Sequence, residues 1–62
     1  MTTAQNIMNR NSTASFADAQ KLESELREIS ILVVSNNCYD RTWYFNDGSS
    51  ITKTRDGYVV NF

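Results

Sequence analysis

The sequence predicts an α+β fold: one N-terminal helix packed on a small antiparallel β-meander of three strands, or four, preceded by a flexible tail. Three observations predict it. Apolar residues recur at helical spacing most clearly in one segment, Phe16, Ala19, Leu22, Leu26 and Ile29. The chain has 2 glycines, each follows an aspartate, and each falls between β-prone runs. The first thirteen residues are polar, rich in Asn, Thr and Ser, and carry Arg10 as their one charge.

Taken in order, residues 1–13 read as a flexible tail and 14–62 as a single small domain. A tail that orders on a partner has the same composition. Residues 15–30 read as a helix. Ser15 can cap the free amides of its first turn, and the carboxylate of Asp18 suits the positive end of the helix dipole. Lys21, Glu23, Glu25 and Arg27 lie largely off the apolar stripe.

Residues 29–35 admit two readings. The β-branched run Ile29-Ser30-Ile31-Leu32-Val33-Val34 favours a strand near 31–35 after a helix ending at Ser30. The alternative is one long helix stopped by Asn36-Asn37, since asparagine tolerates the left-handed conformation that ends helices.

Residues 41–62 read as the meander. Thr42-Trp43-Tyr44-Phe45 leads into the turn Asn46-Asp47-Gly48, residues 49–54 return, and Asp56-Gly57 opens a last strand, Tyr58-Val59-Val60-Asn61-Phe62. A two-residue loop at Asp47-Gly48 would pair Tyr44 with Ile51. A three-residue loop with a glycine bulge would bring Ile51 to Trp43 instead. The second is preferred because it gathers Trp43, Phe45 and Ile51 on one face, and a slip of one residue would turn every side chain over. A two-residue turn at Asp56-Gly57 adds Val60 and Phe62 to that face. Leu22 and Leu26 then have a surface to pack on, helix on sheet.

Composition excludes several functions. A single cysteine, Cys38, allows no intrachain disulfide, and the absence of histidine removes both a Cys/His zinc site and the usual acid–base catalyst. Cys38 has no histidine to activate it; Arg41 nearby could lower its pKa, but an inert thiol is the expectation. The carboxylates Asp18, Glu23, Glu25 and Glu28 have spacings that place no clean catalytic pair on one face and read as a solvated helix surface. Asn46-Asp47-Gly48-Ser49 lacks the distal glutamate of an EF-hand loop, because no glutamate follows Glu28. No catalytic residue, metal or cofactor is therefore expected, and the chain is not expected to be an enzyme. The net charge of −1 is not the footprint of a general nucleic-acid binder. The longest apolar run is too short to span a bilayer, and no basic-then-apolar export signal opens the chain.

What remains is aromatic. Every aromatic residue except Phe16 falls between Tyr39 and Phe62. Exposed Tyr and Trp anchor interfaces, so Tyr39, Arg41, Tyr44, Lys53, Arg55 and Tyr58 are the expected partner-binding set. One core of this size supplies about 3–5 kcal/mol, and no disulfide or zinc site can supplement it here. A protein partner or self-association is expected for that reason. The leading reading is a non-enzymatic protein-binding module, a small regulator or inhibitor acting through the face or edge of the sheet. The alternatives are single-stranded nucleic acid stacked on the sheet with Arg41, Lys53 and Arg55, and a homo-oligomer with the helix stripe as its seam. A lone cysteine and no export signal fit a reducing, cytoplasmic setting. In size and polar start the chain resembles the short accessory proteins of bacteria and their viruses, which adds to the expectation of a regulator or inhibitor.

Overall fold

The computed structural model describes residues 1–35 and 40–61. It begins with a helix where composition argues for a tail. Helix α1 (Thr3–Arg10) buries Ala4 and Ile7 completely, with Met8 packed beside them. Two local signals create it. Thr2 and Gln5 form a capping box: the Thr2 hydroxyl accepts from the Gln5 N–H and the Gln5 side chain accepts from the Thr2 N–H. Ala4, Ile7 and Met8 then fall at spacings of three and four, the pattern that makes one apolar face.

Helix α2 (Phe16–Ile29) matches the expected segment, with the Ser15 hydroxyl accepting from the Asp18 N–H. The stripe is shorter than its spacing suggested. Leu22 and Leu26 are fully buried, but Phe16 is 80% exposed and Ile29 is 39% exposed. A fourteen-residue helix is about 21 Å long. The sheet beneath has strands of at most five residues, about 17 Å.

Four strands follow: β1 (Leu32–Ser35), β2 (Arg41–Tyr44), β3 (Ser50–Thr54) and β4 (Gly57–Asn61). They form one antiparallel meander in the order β1-β2-β3-β4. The run after the helix is thus a strand, not a continued helix. The first hairpin has the three-residue loop, Asn46-Asp47-Gly48, with Gly48 at φ 88° and Trp43 opposite Ile51. The second differs from expectation. Its turn residues are Arg55 and Asp56, and Thr54 pairs with Gly57. The Thr54 hydroxyl holds this turn, accepting from the Asp56 N–H and donating to the Gly57 carbonyl. Both turn residues keep negative φ, so the positive φ falls on Gly57, at 136°. The register moves by two residues, which preserves the face of every side chain.

Those pairings create four rows across the sheet. Val33–Trp43–Ile51–Val60 and Ser35–Arg41–Lys53–Tyr58 point to one side, and Leu32–Tyr44–Ser50–Asn61 and Val34–Thr42–Thr52–Val59 to the other. The core is Ala4, Ile7, Leu22, Leu26, Trp43, Phe45 and Ile51, with Tyr58 and Val60 against it. Both helices therefore cover the first side. Phe62, expected in this core, lies outside the described residues.

A polar clamp ties α1 to the β2–β3 turn. The first N–H groups of any helix lack intrahelical partners. Here Thr3 N–H donates to Asp47 Oδ2 at 2.8 Å and Ala4 N–H to Ser49 Oγ at 3.2 Å. Asp47 Oδ1 also accepts from the Ser49 hydroxyl and N–H. These bonds, the Ser49 hydroxyl first and the Thr3 N–H next, hold the Asp47 carboxyl far below its ordinary 3.8. A folded pKa below the unfolded one means stability present above about 3.8 and lost as pH falls through and below that value. Asp47→Asn is expected to be less stable than wild type at neutral pH. The gap should close at strongly acid pH, as read by urea unfolding on Trp43 fluorescence. Parallel pH profiles would show that the clamp contributes nothing.

At the other end of α1, Arg10 pairs with Glu25 through Nε at 2.8 Å and through its terminal nitrogen, and Asn11 Nδ2 donates to the same carboxylate at 2.8 Å. Asn11 first, then Arg10, lowers the Glu25 pKa.

Candidate functional site: the uncovered face of the sheet

The six expected contact residues do not share one surface. Tyr39 lies outside the described residues. Tyr44 stands on the uncovered face, 41% exposed. Arg41, Lys53 and Tyr58 belong to one row on the helix side. Arg41 Nε donates to Ser35 Oγ at 3.3 Å. Lys53 Nζ and the Tyr58 hydroxyl both donate to Glu23 Oε2, at 3.1 and 3.0 Å. Arg55 sits in the β3–β4 turn, outside both uncovered rows. The reason is strand parity. Arg41 and Trp43 are two apart, as are Ile51 and Lys53, so they must share a face. Lys53 and Tyr58 thus serve to join α2 to the sheet.

The Glu23 junction has a measurable signature. Partial burial first, then the bond to Glu23 and its negative charge, push the Tyr58 phenol up to about 12. The ordinary tyrosine value is 10.0, and a raised folded pKa contributes stability below that value that is lost as pH rises through 12. Absorbance near 295 nm during alkaline titration should show one tyrosine ionising near 12. Tyr58→Phe should remove that step and the associated loss of stability. A Tyr58→Phe curve that keeps the late step would exclude the junction as its origin.

On the uncovered face Leu32, Tyr44 and Val59 are 55%, 41% and 48% exposed. They surround a small-residue centre in which Thr42 and Ser50 are buried and the hydroxyls of Thr42 and Thr52 bond across strands at 3.1 Å. Neither row contains a lysine or arginine. The cations expected to follow a phosphate backbone therefore lie in other rows than that of Tyr44. Of the helix stripe, Leu22 and Leu26 lie inside the chain's own core, while Phe16 and Ile29 stay exposed.

Sequence reasoning missed two exposed features. Phe16 borders an open depression along α2 with Gln20, Glu23, Ser24 and Arg27. Leu32 and Val34 extend the uncovered face onto β1. The signal for the second was available: once the run is read as a strand paired with β2, alternation sends Leu32 to the side of Tyr44. Among the described residues no group of three or more His, Cys, Asp or Glu could hold a metal ion, and no helix is long and apolar enough to cross a membrane. No protein-family model, no curated protein and no solved structure matches the chain.

Proposed function

We propose that this chain is a non-enzymatic protein-binding module, a small regulator or inhibitor of a larger assembly, and that it engages its partner through the uncovered face of the sheet. The observation that supports this is the one-sided architecture. Both helices pack on the Trp43–Ile51 side, and Leu32, Tyr44 and Val59 are left outside on the other. A ring flanked by aliphatic side chains and threonine methyls is a suitable anchor. It is rigid, has two rotatable bonds, and carries a hydroxyl for a partner's polar groups.

The test is quantitative capture. Tagged wild type and Tyr44→Ala are passed in parallel through lysate of the native host, and bound proteins are identified by mass spectrometry. A specific partner should be retained by wild type and weakened at least about tenfold by Tyr44→Ala, the effect of losing a central interface ring. Circular dichroism should show the variant folded, since Tyr44 lies outside the core. Equal retention of every captured protein by the two chains would remove Tyr44 from the interface and the proposal with it.

A further inference from the structure

The sheet ends at β1, an edge strand of four residues. Its residues, Leu32-Val33-Val34-Ser35, include no charge and no proline. Edges so built recruit other strands. The hydrogen-bond alternation says which groups are available. Phe45 N–H donates to the Ser49 carbonyl at 2.9 Å, so on β2 Phe45, Trp43 and Arg41 direct their backbone groups toward β3. Tyr44 and Thr42 then face β1 and meet Leu32 and Val34. Val33 and Ser35 are left directing theirs away from the sheet. The side chains are uncovered too: Ile31, Leu32 and Val33 are 67%, 55% and 43% exposed, and Ile29 on the adjoining end of α2 is 39% exposed.

We infer that β1 pairs antiparallel with the β1 strand of a second copy, in a two-fold dimer centred on Val33. Symmetry restricts the register. An axis perpendicular to the sheet keeps both helix layers on one side, and directly opposed residues must then point to the same face. Residues of even and odd number cannot oppose one another. Val33 is the outward-directed residue with strand on both sides of it. Placing it against the second copy's Val33 lets the two exchange both backbone hydrogen bonds. Leu32 then opposes the second copy's Val34, and Ile31 opposes Ser35. Apolar side chains meet on both faces of the seam, and no charged residue of β1 is buried or opposed to a like charge. The second copy fits this edge because the strand is its own complement about Val33, whose backbone groups both point outward; the Ile31 N–H is already bonded to the Tyr44 carbonyl at 2.8 Å, so Ile31 and Ser35 meet through their side chains.

The exposed parts of Ile29, Ile31, Leu32 and Val33 come to about 400 Å² per copy, hence about 800 Å² in all, the scale of a weak, reversible association. This goes beyond the reading of the uncovered face, which requires no dimer.

Sedimentation equilibrium of the full chain from about 1 µM to 1 mM tests it. The expected result is monomer at the low end and dimer at the high end, with Val33→Lys at least tenfold weaker. If Val33→Lys fails to fold, a chemically synthesised chain N-methylated at Val33 decides. It loses one outward donor, keeps every side chain, and should be a folded monomer. The register is read by oxidation in a Cys38→Ser background, where Val33→Cys should form a covalent dimer faster than Leu32→Cys. A wild type monomeric at 1 mM overturns the proposal, as does a dimer indifferent to N-methylation. Equal cross-linking of the two cysteine variants overturns the register. A monomer that still loses its partner on Tyr44→Ala sinks this inference alone.

Discussion

Deleting residues 1–12 is expected to abolish cooperative unfolding, not merely to shorten the protein. Helix α1 contributes Ala4 and Ile7, both fully buried, and partly covers the same core with Met8. Burying an isoleucine side chain is worth about 1.5–3 kcal/mol. Its removal also exposes apolar neighbours in the core. A core of this size supplies about 3–5 kcal/mol in total. The loss is therefore comparable to the whole. Wild type should show a sigmoidal urea transition on Trp43 fluorescence, and the deletion variant a broad drift with red-shifted emission already in buffer. Ile7→Ala is the milder control, with an expected loss of about 2–5 kcal/mol. An unchanged midpoint in the deletion variant would mean that the segment is the tail its composition suggests.

Leu26→Ala should be the most damaging single substitution tested on α2. Leu26 is fully buried in the cluster that contains Trp43, Phe45 and Ile51. Leucine truncation at such a site costs about 2–5 kcal/mol, because the transfer energy is lost and a cavity remains. Against a total of about 3–5 kcal/mol this leaves the folded state barely populated or lost. The matched comparison is Phe16→Ala, on the same apolar stripe but 80% exposed. It should change stability by less than about 0.5 kcal/mol. Equal effects at the two positions would mean that α2 is seated on the sheet by a different face.

The contrast between Leu26 and Phe16 shows what periodicity can and cannot reveal. Spacing assigns residues to one side of a helix, but it carries no information on how far the sheet beneath extends. The same limit applies to the binding residues. Arg41, Lys53 and Tyr58 have the chemistry of contact residues, and their strands were legible. Their row faces α2, where Glu23 takes both Lys53 and Tyr58. Alternation along β2 could have separated Arg41 from Tyr44. That Glu23 would lie above the row could not be known without the packing of α2.

Helix α1 was missed for another reason. Its capping box and its Ala4, Ile7 and Met8 face are both present in the sequence. An eight-residue helix is unstable alone, however, since nucleation costs more than so few hydrogen bonds return. What holds it is distant: Asp47 and Ser49, more than forty residues away, bind its first two N–H groups.

The sequence by itself determined the α+β class, the three strands between residues 41 and 61, the first turn with its register, and the face of the core residues, while the second turn fell one residue earlier than the glycine suggested. Those are local consequences of alternation, glycine placement and turn chemistry. The tertiary structure decided that the chain opens with a docked helix, that both helices share one side, and that Tyr44 is left on a bare face while Lys53 and Tyr58 are not. Each of these depends on groups far apart in sequence meeting in space, and no local pattern encodes which pairs will meet.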